Sequence, residues 1–352
     1  MYNNEYIIKP TESILITGAG GFVGSKVVET LLQYGFKNLR CFIRSSRNLA
    51  LLKAMADRAN ANIEFVQGNL LSPEDCKQAV KAISVIYHLA IGSGGKSFPN
   101  NFMNAVIPTR NLLDACIEGN SLKRFVNTSS FAIYSNRNNP QRRLQDESCP
   151  IDEHPEFRGD AYAFAKLKQD QLVAEYGRKQ NLPYVIVRPS YVYGPGKDSI
   201  PARVGIDTFG IFLHLGGSNK IALTYIDNCA EAIVLAGVVK GVDGEIFNIV
   251  DDDLPSSRRF LRLYKKNVKK FNSIYIPHGI SYLLCYLWER YSIVSKGQLP
   301  PIFTRNEWHA YWKQTRYSNN KIKNRLGWKM KVPTEEGLNN FFEYCREREN
   351  NA

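Results

Sequence analysis

The stretch TGAGGFVG, residues 17–24, decides the fold. It follows the strand-like run SILITG (13–18) and leads directly into the helix-like SKVVETLLQYG (25–35). Glycines are required where a backbone turns tightly, approaches a pyrophosphate closely and packs a helix against a strand, and the amides at the helix start then face the anion. This context predicts a dinucleotide-binding loop. The loop residues predicted to bind are Gly18, Gly21, Phe22, Val23 and Gly24.

Short apolar runs alternate with longer helix-like segments over most of the chain. The strand-like runs are 13–18, 39–44, 63–68, 85–90, 124–130, 184–190 and 245–250. The helix-like segments are about 24–34, 46–58, 73–82, 102–118, 161–180 and 227–240. This alternation with apolar strands predicts an α/β fold, a doubly wound parallel sheet of the Rossmann type with helices on both faces. In such a sheet the ligand lies beyond the carboxyl ends of the strands.

Strand signals weaken after residue 194. Residues 195–225 are rich in loop formers, and strand-like runs thin out from residue 251 onward. We therefore expect a dinucleotide-binding core and a smaller C-terminal substrate-binding lobe that closes over the strand ends. The expected core is 1–194 completed by 223–250, and the expected lobe is 195–222 with 251–352.

The end of the second strand bears on the choice of cofactor. An NAD site places an acidic residue there for the ribose 2′-hydroxyl. This chain has Arg44, Ser45, Ser46 and Arg47 instead. Guanidinium and hydroxyl groups bind a 2′-phosphate that a carboxylate would repel, so NADP is favoured. In the alternative, Arg44 stacks on the adenine ring without a phosphate partner, and the cofactor could then also be NAD.

A second motif, GDAYAFAK at 159–166, places Tyr162 and Lys166 four residues apart. On a helix this spacing puts both side chains on one face. A neighbouring ammonium group favours the phenolate and lowers the pKa of a tyrosine, which produces an acid-base group. On its own so short a motif more often reflects a packed tyrosine and a solvated lysine, so the rest of the chain has to decide.

Composition excludes several classes of protein. The 352 residues are 44% hydrophobic, which suits one large α/β domain with or without a smaller lobe. Seven scattered cysteines without a Cys-x-x-Cys pair and five scattered histidines indicate no disulfide framework and no metal site. The N-terminus lacks the order of a signal peptide, and the longest apolar run, SYLLCYLW (281–288), is too short to span a bilayer. We expect a cytoplasmic protein.

The positive charge is concentrated near the C-terminus. Of the net charge of +13, +9 lies in residues 251–352, which hold 19 Lys and Arg against 10 Asp and Glu. No nucleic-acid-binding motif accompanies it, so nucleic acid is not expected. The run SSRRFLRLYKKNVKK (256–270) fits a helix with one apolar and one basic face, most often a solvated face. The alternatives are an anionic substrate and a peripheral membrane contact through 256–292, where ISYLLCYLWERY follows the basic helix.

Six motifs occur in order along residues 12–250. They are TGAGGFVG (17–24), GNL (68–70), YHLA (87–90), TSSFAIY (128–134), YAFAK (162–166) and RPSYVYGPG (188–196). Together they resemble the extended branch of the short-chain dehydrogenase/reductase family, the NAD-dependent epimerase/dehydratase superfamily.

The resemblance implies a role for each residue of the site. Tyr162 is implied to be the acid-base residue, Lys166 to lower its pKa and hold the nicotinamide ribose, and Ser130 to hydrogen-bond the substrate oxygen. The other implied cofactor contacts are Asn69 and Leu70 near adenine, Leu89 and Ala90 along the cofactor, and Pro189 and Tyr191 near the nicotinamide. The isolated His88 is interpreted as structural, and a homodimer is expected by analogy.

Departures from the family pattern narrow the chemistry. Nucleotide-sugar dehydratases of this branch have an acidic pair after the active-site hydroxyl, whereas Phe131 and Ala132 follow Ser130 here, which disfavours dehydration. Nucleotide-sugar epimerases keep NAD through each turnover, which fits poorly with Arg44. The family's Asn-Val-x-Gly-Thr helix is represented by NAVIPT (104–109), one residue out of step, so a cofactor contact is expected to differ.

The C-terminal third is similar to 3β-hydroxysteroid dehydrogenase-like and dihydroflavonol reductase-like members, and Tyr225, Asp227 and Asn228 look like a structural joint between lobes. The leading hypothesis is an NADP-preferring oxidoreductase that interconverts a secondary alcohol and a ketone on a hydroxysteroid-like, flavonoid-like or nucleotide-sugar substrate. The first alternative is a nucleotide-sugar 4-epimerase or 4-ketoreductase using bound NAD(P), whose diphosphate the basic lobe would hold. The second is a non-catalytic dinucleotide-sensing protein, against which the intact serine, tyrosine and lysine argue.

Overall fold

The computed structural model describes residues 6–351 except 46–47, 93–94, 96, 120, 138–143, 209 and 296–303, and the side chains of 157 and 158. The strands are β1 (Ile14–Thr17), β2 (Asn38–Ile43), β3 (Asn62–Gln67), β4 (Val85–His88), β5 (Arg124–Thr128), β6 (Leu144–Gln145), β7 (Tyr184–Pro189), β8 (Tyr191–Tyr193), β9 (Gly205–Thr208), β10 (Ile211–His214), β11 (Leu223–Tyr225), β12 (Ile246–Ile249), β13 (Ser273–Tyr275) and β14 (Arg316–Tyr317). The α-helices are α1 (Phe22–Gln33), α2 (Leu49–Ala59), α3 (Pro73–Val80), α4 (Phe98–Gly119), α5 (Ala161–Gln180), α6 (Ile226–Val238), α7 (Ser257–Asn267), α8 (His278–Val294), α9 (Arg305–Tyr311), α10 (Asn320–Leu326) and α11 (Thr334–Asn350).

Seven strands form one parallel sheet in the order β3, β2, β1, β4, β5, β7, β12. They are the seven strands that the apolar runs predict, and the predicted doubly wound α/β fold is confirmed. The strand order changes direction between β1 and β4, which pair with Thr17 opposite His88. A crevice at the carboxyl ends of such a pair is where ligands bind in this architecture.

Helices cover both faces of the sheet and bury their apolar sides on it. On one face α1, α2 and α6 enclose a core that includes Val27, Leu52 and Ile233. On the other face α3, α4 and α5 pack around Leu112 and Val173. Because both faces are covered, the strands are almost continuously apolar, as a buried parallel sheet requires.

The C-terminal part builds a second core from aromatic side chains. Phe260 and Tyr264 of α7 pack against Phe341 and Phe342 of α11. The stretch expected to be loop-rich contains β9 and β10, which pair antiparallel and are too short to leave a clear sequence pattern. Within the described residues, none of the helices combines the length and apolar character needed to cross a membrane.

Asn228 ties α6 to the C-terminal segment. Its Oδ1 accepts the backbone amides of Lys331 and Val332, each at 2.9 Å, and its Nδ2 donates to Asp251 Oδ2 at 3.2 Å. These contacts agree with the expected joint between the lobes. Helix α10 and Trp328 belong to the expected lobe by sequence, yet they pack into the core on the sheet. The division into a core and a substrate-binding lobe therefore stays a prediction.

Candidate active site

One cavity of about 1060 Å³ opens at the carboxyl ends of the central strands. All fifteen residues predicted for catalysis or cofactor binding line it, from Gly18 in the glycine loop to Tyr191 at the start of β8. The parallel sheet explains the convergence, because every strand delivers its following loop to the same edge.

The glycine loop leaves no room for side chains. Gly18 has φ +74°, and a Cβ there would lie 2.9 Å from the Ala90 amide nitrogen. A Cβ on Gly24 would lie 2.0 Å from the Gly18 carbonyl oxygen. At the N-terminus of α1, Gly21 provides no side-chain cap, so the first amides of the helix are open toward the cavity. This cradle fits the diphosphate of a nicotinamide dinucleotide.

Arg44 lies at the exposed end of β2 and lines the cavity together with Ser45. Asn48 donates from Nδ2 to the Gly20 carbonyl oxygen at 2.7 Å and so joins the loop after β2 to the glycine loop. Ser46 and Arg47, which were also expected near a 2′-phosphate, lie outside the described residues. The place where an NAD site has its acidic residue is therefore occupied by a guanidinium and a hydroxyl group.

Asn69 and Leu70 follow β3 and line the cavity beside Leu89 and Ala90, which follow β4. The Asn69 amide donates to Asp75 Oδ2 at 2.7 Å, and Asn69 Oδ1 accepts the amide of Leu71 at 3.1 Å. These bonds fix the turn after β3, so its backbone presents a defined wall to the cofactor site.

Ser130 and Tyr162 both line the cavity, and the Ser130 hydroxyl lies close enough to the phenol of Tyr162 to lower its pKa. Ser130 follows β5, and its Oγ accepts the Ala132 amide at 3.1 Å. Asp160 begins α5 and caps it, since its Oδ1 accepts the Ala163 amide at 2.8 Å. The cap fixes the helix start, which presents Tyr162 to the cavity one turn before Lys166.

The pKa of Tyr162 is raised above its ordinary value. Burial is the main cause; the carboxylates of Asp160 and Asp170 add to the rise, and the Ser130 hydroxyl opposes it. This is opposite to the lowering expected from Lys166. The ring is 40% exposed through the open cavity, which limits the effect of burial. Tyr162 is therefore protonated at neutral pH in this state.

Lys166 is buried and turned toward the sheet. Its Nζ donates to the Thr128 carbonyl oxygen at 2.6 Å. Burial lowers the pKa of Lys166 to about 8, and the carboxylate of Asp170 opposes that fall. The ammonium group is therefore kept mostly charged at neutral pH by a buried anion one helical turn away.

Sequence reasoning missed the polar cluster around Asp170. Its carboxylate accepts Asn127 Nδ2 and Ser129 Oγ, each at 2.9 Å, and lies 3.3 Å from Arg188 Nη2. Arg188 in turn donates to the Tyr134 hydroxyl at 2.9 Å. The spacing of four residues between Lys166 and Asp170 was the available signal, because it places both on one helix face.

Two further cations on the cavity wall were also missed. Lys197 lies 3.9 Å above the ring of Tyr191. Arg203 donates to the Ala310 carbonyl oxygen at 2.9 Å and lies 5.6 Å from the ring centre of Tyr311. Tyr311 and Arg203 both line the cavity. They lie outside the six ordered motifs, and only the fold shows that they reach the site.

The segment NAVIPT (104–109), which differs from the family's Asn-Val-x-Gly-Thr pattern, places a proline inside α4. Pro108 lies inside α4 and has no amide hydrogen, so it leaves the Asn104 carbonyl oxygen without its helical donor. The Gly92 amide donates to that oxygen at 3.2 Å. The helix thereby fixes the loop after β4 at the cavity wall.

His88 lies behind that wall and is buried. Its Nδ1 and Nε2 lie 2.8 and 2.9 Å from the hydroxyls of Thr17 and Thr109. Burial lowers the pKa of His88 to about 3, so it is neutral. Among the described residues no three His, Cys, Asp or Glu side chains are grouped so as to hold a metal ion.

Residues 14–249 match the sequence model of the NAD dependent epimerase/dehydratase family. The match runs from β1 to β12 and includes every residue of the predicted site.

Relatives with several activities resemble the chain. It is 25% identical over 345 residues to 3β-hydroxysteroid-dehydrogenase/decarboxylase isoform 1 of Arabidopsis thaliana, covering 92% of this chain and 77% of that protein. It is 27% identical over 277 residues to a trifunctional UDP-glucose 4,6-dehydratase/UDP-4-keto-6-deoxy-D-glucose 3,5-epimerase/UDP-4-keto-L-rhamnose-reductase of the same plant, covering 74% of this chain and 40% of that protein. The solved structure of UDP-glucuronic acid 4-epimerase from Bacillus cereus in complex with NAD matches 96% of this chain and 99% of that one, with a TM-score of 0.69 and 21% identity. That likeness shows a common fold.

Proposed function

This chain belongs to the NAD dependent epimerase/dehydratase family, and we propose that it is an NADP-preferring oxidoreductase that interconverts a secondary alcohol and a ketone. Membership in this family makes the chain an enzyme of the extended short-chain dehydrogenase/reductase type with a nicotinamide dinucleotide cofactor. Its relatives are named as oxidoreductases, dehydratases and epimerases. The choice of NADP, the net redox reaction and the roles of individual residues are the proposal.

One observation carries it. Ser130 and Tyr162 line the same cavity as the glycine loop, and Lys166 lies one helical turn farther along α5. An acid-base tyrosine, a hydroxyl donor and a dinucleotide cradle in one cavity are the parts that alcohol and ketone interconversion needs. Phe131 and Ala132, which follow Ser130 on that wall, bring no carboxylate for dehydration.

Each residue has a defined task in ketone reduction. Tyr162 donates its proton to the carbonyl oxygen, and Ser130 donates a hydrogen bond to the same oxygen. Lys166, one helical turn farther along α5, supplies a positive charge on the same helix face as the phenolate that remains. The bound cofactor supplies the hydride. Because the pKa of Tyr162 is raised by burial, the phenol is protonated at neutral pH and can donate its proton in this step.

The preference for NADP rests on Arg44 and Ser45. Both line the cavity at the end of β2, and Arg44 is exposed there, so a 2′-phosphate would meet a guanidinium and a hydroxyl group.

Fluorescence titration with NADPH and NADH tests the cofactor proposal. Arg44→Asp should weaken NADPH binding by about 1.5–3 kcal/mol and leave NADH binding nearly unchanged. Lys53→Asp, an equal change of charge at an exposed position of α2, is the control and should alter neither. Equal NADPH affinity for wild type and Arg44→Asp would remove the phosphate role from Arg44.

We assign substrate binding to the smaller lobe, 195–222 with 251–352. Arg203 and Tyr311 support this, because both come from that lobe and line the cavity. The hydride-transfer reaction should therefore be assayed across ketosteroid, flavonoid and UDP-sugar substrates.

A nucleotide-sugar 4-epimerase or 4-ketoreductase is the second candidate, and two cations on the cavity wall favour it. Lys197 and Arg203 are suited to bind a diphosphate. Interconversion of UDP-sugars without added cofactor would support the epimerase and refute net redox chemistry. Tight cofactor binding with no turnover of any substrate would instead support the dinucleotide-sensing alternative.

A further inference from the structure

Helix α8 exposes its large apolar side chains. Nineteen large hydrophobic side chains of the described residues are exposed, and eleven of them lie within residues 274–294. They are Ile274, Tyr275, Ile280, Tyr282, Leu283, Leu284, Tyr286, Leu287, Tyr291, Ile293 and Val294, which we call the α8 patch. A concentration of this kind in one short segment marks an interaction surface rather than scattered surface residues.

The helix is attached to the protein by its small polar side chains. Ser281, Cys285 and Ser292 are buried and share one face of α8. Ser281 Oγ accepts the indole Nε1 of Trp308 at 2.9 Å. Glu289 pairs with Arg305, whose Nε lies 2.7 Å from Glu289 Oε2. The packing thus directs Leu283, Leu287 and Ile293 outward, whereas Tyr282 packs edge-on against Trp308 and Tyr286 lies beside Arg305. Large aliphatic side chains on the outer face are the reverse of an ordinary amphipathic helix.

Basic residues border the patch. Residues 256–294 contain eight Lys and Arg and a single acidic residue, Glu289, which is paired. The Arg258 guanidinium lies 5.2 Å from the ring centre of Tyr275, and Lys265 Nζ donates to Ser273 Oγ at 2.6 Å. The apolar side of α7 is buried, so this helix offers only its basic side. The charges of Arg258 and Lys265 therefore lie beside the β13 end of the exposed hydrocarbon, whereas Lys269 is paired with Glu349.

We propose that the α8 patch and its basic border dock the protein on the surface of an anionic membrane. Leucine, isoleucine and valine side chains would enter the boundary between headgroups and acyl chains. The tyrosines suit that boundary because their rings are apolar and their hydroxyls polar, and the Lys and Arg residues would meet anionic headgroups. A second copy of the chain fits less well, because a two-fold interface would set the same basic border against itself. This docking does not depend on the proposed reaction.

Sedimentation with vesicles tests the proposal on the full chain. Wild type should pellet with phosphatidylcholine vesicles that contain phosphatidylglycerol at low salt and be released progressively as salt rises. Leu283→Gln combined with Leu287→Gln should lower the vesicle-bound to free ratio at least tenfold. Leu51→Gln with Met103→Gln, which removes two exposed apolar side chains from α2 and α4, should leave it unchanged.

The other outcomes have definite meanings. Equal binding by wild type and the α8 double variant, or recovery of the wild type in the supernatant with every vesicle, would overturn the proposal. A dimer in light scattering that the double variant turns into monomers, without vesicle binding, would assign the patch to a second copy. NADPH titration of the same samples shows whether each variant is folded, and it separates failure of docking from failure of the proposed enzyme function.

Discussion

Two regions of the molecule depart from the rule that polar side chains are exposed and apolar side chains buried. One buries polar groups, and the other exposes apolar ones. Behind the catalytic cavity Lys166, Asp170 and Arg188 are ionisable, yet none is more than 5% exposed; burial raises the pKa of Asp170, and Arg188, Ser129 and Lys166 oppose that rise. On α8 the side chains of Ile293 and Val294 are hydrocarbon, yet they are 70% and 75% exposed. Either arrangement costs free energy unless a partner compensates for it.

The difference lies in where that compensation is found. The buried charges have their partners inside the chain, since Asp170 accepts hydrogen bonds from Asn127 and Ser129 and lies between Lys166 and Arg188. In the α8 patch, Leu283, Leu287, Ile293 and Val294 remain more than half exposed against the rest of the described chain. The first region is thus complete in itself, whereas the second points to a partner outside the chain.

Removal of the buried anion should have the largest effect on stability. Asp170→Asn leaves Arg188 and Lys166 buried without a counter-charge and should lower the free energy of unfolding by about 3–5 kcal/mol. Asp198→Asn is the control, because Asp198 is 57% exposed and 3.8 Å from Arg348. That variant should lose less than about 1 kcal/mol in urea denaturation. Equal losses of unfolding free energy in the two variants would show that the cluster around Asp170 stabilises the fold no more than an exposed ion pair does.

The same substitution should alter the pH dependence of turnover. Burial lowers the pKa of Lys166 to about 8, so its charge is present below that pH and is lost as pH rises through it. Asp170 raises the pKa of Lys166, so Asp170→Asn should move the alkaline loss of kcat/KM to lower pH. Asp198→Asn should leave the profile unchanged. If the alkaline loss of kcat/KM occurs at the same pH in Asp170→Asn as in the wild type, Asp170 does not control the charge of Lys166.

The smallest effect is expected on the outer face of α8. Leu287→Gln should change the free energy of unfolding by less than about 0.5 kcal/mol, because Leu287 is exposed. Leu112→Ala, at a fully buried position of α4, should cost about 2–5 kcal/mol. A loss above 2 kcal/mol for Leu287→Gln would mean that part of the chain covers the patch.

Local patterns were sufficient to predict the sheet and the residues that meet at its edge. The glycine loop, the seven apolar strands and the Tyr162 and Lys166 spacing each lie within short segments, and a parallel sheet brings the loops that follow its strands together. Arg203 and Tyr311 reach the same cavity from segments whose position depends on packing across the whole chain. No local pattern specifies such a contact.

Two properties of the site and its surroundings depend on burial and so lay beyond the sequence. Spacing alone suggested that Lys166 would lower the pKa of Tyr162, but the pKa is raised because burial dominates and the ammonium group faces the Thr128 carbonyl. The apolar run of α8 was visible, but its periodicity does not show that Ser281 and Cys285 would be buried in place of the leucines.

The most direct test of the proposed function is NADPH oxidation with ketone substrates by wild type and Tyr162→Phe. The wild type should turn over one substrate class. The variant should lose about 10²–10⁴-fold in turnover, because it lacks the proton donor, while its NADPH affinity stays within about threefold. Equal turnover by wild type and Tyr162→Phe would contradict the acid-base role of Tyr162. Tight NADPH binding by the wild type without oxidation on any ketone would contradict the proposed net redox reaction.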